Sequence, residues 1–123
     1  MIFKRETRED LPIETLISAR TRIQGDVQFS GGLHVDGTVT GSVRATPGPS
    51  RLVQSQASVV EGSVEAQVVE LHGTVRGDIL APRRALLGAT ARIEGNVQYG
   101  DIEMAAGARI NGKMLKIATE GSS

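Results

Sequence analysis

The chain has no cysteine and no tryptophan, and only one tyrosine (Tyr99) and two phenylalanines (Phe3, Phe29) in 123 residues. Without cysteine there are no disulfides and no thiolate metal sites, which fits a reducing cytoplasm. With so few aromatics, the interior of an ordinary globule of this size is hard to fill, because aromatic rings supply much of its buried area. Charge of one sign is also missing: 14 Lys and Arg balance 14 Asp and Glu. That excludes the basic field a nucleic-acid partner requires. No apolar run approaches the roughly 18 residues that span a bilayer, and the N-terminus has no long apolar stretch of the secretory kind. What remains is Val, Ile, Leu and Ala with 15 Gly. This composition suits a narrow interior of stacked aliphatic layers.

Those residues are arranged in a repeat: aliphatic, any, Gly, any, aliphatic. It reads Ile23-Gln-Gly25-Asp-Val27, Val35-Asp-Gly37-Thr-Val39, Val39-Thr-Gly41-Ser-Val43 and Val60-Glu-Gly62-Ser-Val64. It returns as Leu71-His-Gly73-Thr-Val75, Val75-Arg-Gly77-Asp-Ile79, Ile93-Glu-Gly95-Asn-Val97 and Ile110-Asn-Gly112-Lys-Met114. Gly25, Gly41, Gly62, Gly77, Gly95 and Gly112 form one column with steps of 16, 21, 15, 18 and 17 residues. The doubled unit at 35–43 returns at 71–79, while Ile102-Glu-Met104-Ala-Ala106 is a degraded third copy.

Alternation of apolar and polar residues is strand periodicity with one buried face. Read that way, each Gly lies within a strand, between two core side chains. Short strands in coils of near-constant length describe an all-β solenoid of about six coils, each hydrogen-bonded to the next. At about 4.8 Å per coil, six coils make a rod roughly 29 Å long. Arg44-Ala-Thr-Pro47-Gly48-Pro49-Ser50-Arg51 interrupts the ladder, since proline lacks the N–H, and is expected to bulge outward. Ala81-Pro82-Arg83-Arg84 is a smaller break of the same kind.

Three segments follow: a flexible N-terminal arm over 1–14, the β-helix over 15–117, and a disordered tail over 118–123. The arm begins with an apolar tip and two cations, Met1-Ile2-Phe3-Lys4-Arg5. Burying Ile2 and Phe3 in a membrane interface would contribute roughly 1.5–3 kcal/mol each, and each cation about 1 kcal/mol near an anionic leaflet. Many tips on one polymer would add their contacts intramolecularly.

A solenoid leaves unpaired N–H and C=O groups at both ends, which polar caps usually cover. Neither end of this sequence carries an amphipathic capping helix. Leu16, Ile17, Ile23 and Val27 in the first coil, and Ile110, Met114, Leu115 and Ile117 in the last, are the expected polymerisation contacts. Like-to-like meetings of ends would be isologous.

Enzymatic readings have less to rest on. A left-handed β-helix acyltransferase requires strict six-residue repeats and catalytic histidines. Only Leu87-Gly-Ala-Thr-Ala-Arg-Ile93 suggests such a turn. His34 and His72 are the sole histidines, and two cannot form a three-histidine zinc site. They read as outward-facing strand residues. Asp26, Asp36, Glu61 and Glu94 occupy the variable, outward positions of the repeat, as a solvated face does. A monomeric glycan-binding β-helix would carry aromatics on its binding face. No catalytic residue, metal or cofactor is therefore expected.

The run Ile17-Ser-Ala-Arg-Thr-Arg-Ile23-Gln-Gly-Asp-Val27, followed by Leu33-His-Val35-Asp-Gly-Thr-Val39-Thr-Gly-Ser-Val43, resembles the opening of a bactofilin domain, and the resemblance extends over roughly 15–117. It implies a right-handed, roughly triangular β-helix that polymerises end to end, without nucleotide, into non-polar filaments. It also implies a bacterial scaffold for cell-wall (peptidoglycan-modifying) enzymes that influences cell shape. Met1-Ile2-Phe3-Lys4 resembles, with one residue inserted, the family's Met-Phe-x-Lys tip. That implies recruitment to the cytoplasmic face of the inner membrane.

Overall fold

A computed structural model describes residues 13–117, and the side chains of 15–117. The N-terminal tip at 1–5, the rest of the arm to 12, and the tail at 118–123 lie outside the described residues. In chain order the strands are β1 (Ile13–Ile17), β2 (Arg22–Gln24), β3 (Val27–Val35), β4 (Thr38–Thr40), β5 (Val43–Gln54), β6 (Val59–Glu61) and β7 (Val64–Glu65). They continue with β8 (Val68–Leu71), β9 (Thr74–Arg76), β10 (Ile79–Leu87), β11 (Arg92–Glu94), β12 (Val97–Met104), β13 (Arg109–Asn111) and β14 (Met114–Lys116). The first strand takes in Ile13 and Glu14, which the sequence reading assigns to the arm.

All pairings are parallel, each coil with the next. One sheet holds six strands in the order β13-β11-β9-β6-β4-β2. The other runs β1-β3-β5-β7-β10-β12-β14, with β8 joining β5 and β10. Its long strands bend midway, at register shifts after Phe29 and after Ala81, so it supplies two faces. The second face is built from 27–29, 43–45, 64–65, 79–81, 97–99 and 114–116. The third is built from 13–17, 32–35, 51–54, 68–71, 84–87 and 101–104. Every face thus has six strands, and the chain is a parallel β-solenoid of six coils.

Beside a row on the second face that includes Phe29, Ala45, Ala81 and Tyr99, four rows of side chains fill it. They are Ile23, Val39, Val60, Val75, Ile93, Ile110; Val27, Val43, Val64, Ile79, Val97, Met114; Ile17, Val35, Gln54, Leu71, Leu87, Met104; and Thr15, Leu33, Leu52, Val69, Ala85, Ile102. Interior members of these four rows are buried. β-Branched side chains suit this geometry, because they pack well on a pleated, half-buried surface at little rotamer cost. Gln54 is the polar exception. It lies fully inside, and its Nε2 donates to the Thr74 carbonyl at 2.9 Å and the Ser58 carbonyl at 3.3 Å, tying a corner to the coil above.

The glycines correct the strand reading. Gly25, Gly41, Gly62, Gly77, Gly95 and Gly112 all have positive φ, between +130° and +159°, and stand at the corner between the first and second faces. The repeat unit therefore spans a corner: Ile23 and Val27 point inward from different faces. The column itself is continuous. A Cβ on Gly62 would run into the Gly41 carbonyl oxygen, and the same contact recurs from Gly41 to Gly112. Each N–H from Gly25 to Gly95 donates to the carbonyl one coil on, at 2.9–3.1 Å.

At the corner from the third face to the first there are two lengths, which alternate until the last two coils, where both are long. Long corners over 18–21, 55–58, 88–91 and 105–108 each close with a backbone bond such as Thr21 N to Ser18 O at 2.9 Å. Short corners at Asp36-Gly37 and His72-Gly73 sit directly on the long ones below. There a Cβ on Gly37 would meet the Ser18 and Thr21 carbonyls. Gly88-Ala-Thr-Ala91 is one of the long corners, not a hexapeptide turn. The expected break over 44–51 is narrower than the sequence suggests: Arg44, Ala45, Ser50 and Arg51 stay in the ladder, and only 46–49 bulge, standing opposite one residue between the Phe29–Ala45 and Gly31–Ser50 pairs.

Candidate functional site: the two open ends of the rod

At the N-terminal end the last paired edges are β1, β2 and the 27–29 stretch of β3. At the C-terminal end they are 101–104, β13 and β14. Among the described residues nothing lies beyond either set, so backbone donors and acceptors project from both ends. The Gly112 N–H, the sixth of its column, has no acceptor among the described residues.

The core rows are unfinished at the same places. Ile23 and Val27 face inward over Val39 and Val43 but are only half-buried. Ile110 and Met114 face inward over Ile93 and Val97, and Met114 is 42 % exposed. Ile117 is half-buried, its N–H bonded to the Tyr99 carbonyl at 2.8 Å. Ile17 is only 5 % exposed, so it belongs to the rod's own core. Leu16 and Leu115 are 59 % and 55 % exposed but pair with His34 and Gln98 on the outward rows, so they stand on the flanks of the end coils. Met104, 42 % exposed above Leu87, completes the C-terminal layer with Ile102. The degraded third copy hides Met104 in the sequence. Counting from Leu71 and Leu87 along the row would have found it.

The flanks are charge-paired. Arg76 lies between Glu61 (2.8 Å) and Glu94 (3.7 Å), and Arg44 meets Glu65 at 3.2 Å. Exposed pairs of this kind contribute at most about 1 kcal/mol each. His34 contacts Asp36 at 2.8 Å, and His72 contacts Glu70 at 3.0 Å. The two pairs are 36 residues apart with acid and base exchanged. His34 is in β3 as expected, whereas His72 sits in a corner, with its ring over Gly88. The Ser55 hydroxyl, then His34, holds the Asp36 carboxyl below its ordinary value, and His72 with Arg51 does the same for Glu70. Among the described residues no group of three His, Cys, Asp or Glu could hold a metal ion. No described helix is long and apolar enough to cross a membrane.

Comparison with known proteins agrees with this geometry. The family model described as "Bactofilin: Polymer-forming cytoskeletal" matches residues 15–115. Bactofilin BacO of Myxococcus xanthus (strain DK1622) is 30 % identical over 109 residues, covering 89 % of this chain and 84 % of that protein. The cryo-EM reconstruction of Thermus thermophilus bactofilin double helical filaments matches with a TM-score of 0.77 at 31 % identity, over 85 % of this chain and 100 % of that one. A six-coil solenoid whose core rows stop unfinished at both ends of the described residues, matched along its length by these relatives, belongs to the bactofilin family of polymer-forming cytoskeletal proteins.

Proposed function

We propose that this protein is a structural filament subunit that joins its own copies end to end, without nucleotide, and has no enzymatic role. The observation that carries this reading is the coincidence, at each end of the described residues, of unpaired strand edges with incomplete apolar rows. A second copy supplies both missing parts at once: hydrogen-bond partners for the edge and a layer over the exposed Ile, Val and Met side chains. Contacts between like ends would be isologous and give a non-polar filament. The relative solved as a filament supports the polymer. The right-handed winding, the tether of Met1, Ile2, Phe3, Lys4 and Arg5 to the cytoplasmic face of the inner membrane, and the scaffolding of cell-wall enzymes are carried over from the family resemblance.

Purified full-length protein is expected to form filaments by negative-stain electron microscopy with no ATP or GTP present. Monomers alone, across salt and concentration, would refute the reading. Removing residues 2–5 is expected to abolish co-sedimentation with anionic liposomes while leaving filaments intact. Unchanged co-sedimentation would remove the tether.

A further inference from the structure

We propose that Lys116, helped by Lys113, is a charge gate on the C-terminal end. It holds the docking of a second copy there below the strength the apolar layer alone would give, and so keeps that junction reversible. This rests on the end-to-end reading above and deepens it.

Lys116 sits where the interior coils have no charge. Phe29 pairs Ala45, Ala81 pairs Tyr99, and Tyr99 pairs Lys116, so the lysine continues an inward-facing row. Ala81 in that row is fully buried, and Tyr99 is packed against the core. Lys116 is exposed only because no coil follows among the described residues. A further β-edge laid on β14 must cover it or force its ammonium outward. Inward-pointing charges on edge strands are the usual means by which sheets resist indefinite extension.

Lys113 repeats the theme at the glycine corner. There three of the residues that follow Gly accept the backbone N–H one coil on: Asp26 from Ser42 at 3.0 Å, Asp78 from Asn96 at 3.0 Å, Asn96 from Lys113 at 2.9 Å. The lysine side chain has donors only, so the ladder of acceptors ends on it. The rest of this end is apolar, with Ile102, Met104, Ile110 and Met114 presented together. Its unpaired parallel edges fit another β-edge, which makes a second copy the occupant.

The test compares Lys116→Met, Lys116→Arg and wild type as full chains, measuring the critical concentration by pelleting, with electron microscopy of the pellet. Lys116→Met is expected to form the same filaments at a critical concentration roughly tenfold lower, since much of the charge cost is relieved by the lysine stem extending outward. Lys116→Arg should stay at the wild-type value. Equal values for Lys116→Met and wild type, or equal shifts in both variants, overturn the gate but leave end-to-end assembly standing. A higher melting temperature of Lys116→Met without a changed critical concentration means the chain's own residues cover this end, and also overturns it. If wild type forms no filaments at any concentration, the assembly reading falls, and the gate falls with it.

Discussion

Gly62 and Gly48 both have positive φ, +157° and +111°, and alanine at either should cost stability, but for different reasons. At Gly48, on the bulge, a Cβ meets nothing within 4 Å. The loss is the backbone penalty alone, about 1 kcal/mol. At Gly62 the same penalty applies, and the Cβ would also run into the Gly41 carbonyl oxygen, with the Ser42 nitrogen 2.9 Å away. These are backbone atoms of the neighbouring coil and cannot swing aside as a side chain would. Relief requires the coils to part where Gly41 N donates to the Glu61 carbonyl at 2.9 Å. Forced displacement in a packed interior costs about 1–3 kcal/mol more, for a total of roughly 2–4 kcal/mol. At about 4 °C per kcal/mol for a rod of this length, Gly48→Ala should lower the melting temperature by about 4 °C and Gly62→Ala by roughly 8–16 °C. Both are measured by far-UV circular dichroism in an Ile110→Glu background, so that subunit unfolding is read without filament dissociation. Equal losses at the two sites would refute the claim that close coil stacking, rather than φ alone, demands the glycine column.

Ile110→Glu and Ile23→Glu, one on each open end, should each block filament growth while leaving the melting temperature of the subunit within about 2 °C, since both side chains are half-exposed on the terminal coils. Ile17→Lys should instead unfold the rod, because Ile17 is buried within it. Pelleting combined with circular dichroism separates the two outcomes. Leu52→Ala, fully buried in mid-rod, should cost about 2–5 kcal/mol in denaturant unfolding. The Asp36 and Glu70 carboxyls are held below their ordinary values in the folded rod. Stability from them is therefore present above the unfolded carboxylate values and lost as pH falls through the folded ones, below about pH 4. Glu70→Gln should flatten that acid limb, and an unchanged limb would remove Glu70 from its cause.

Much of this was legible from spacing. A period of 15–21 residues anchored on glycine admits a stacked solenoid and little else, because only coil-on-coil stacking turns such repetition into a buried row. The scarcity of aromatics pointed the same way: the fully buried row members are Val, Ile, Leu and Ala, with Gln54 the sole polar one. The place of the glycines was misread because alternation looks the same across a corner as along a strand. Positive φ decides between them, and φ is a property of the folded backbone.

The sequence by itself determined the coil count, the column of stacked glycines and the bulge at Pro47–Pro49, since each follows from residue type and spacing alone. Only the tertiary structure decided which apolar side chains finish inside and which on the ends. Ile17 is sealed by Val35 and its corner, Met104 is left open above Leu87, and Leu115 is turned to the flank while Lys116 faces inward. The reason is physical. Inward or outward direction depends on where the chain bends between faces, and burial depends on whether another coil follows. Both are set by stacking across about 17 residues of intervening chain rather than by neighbours in sequence.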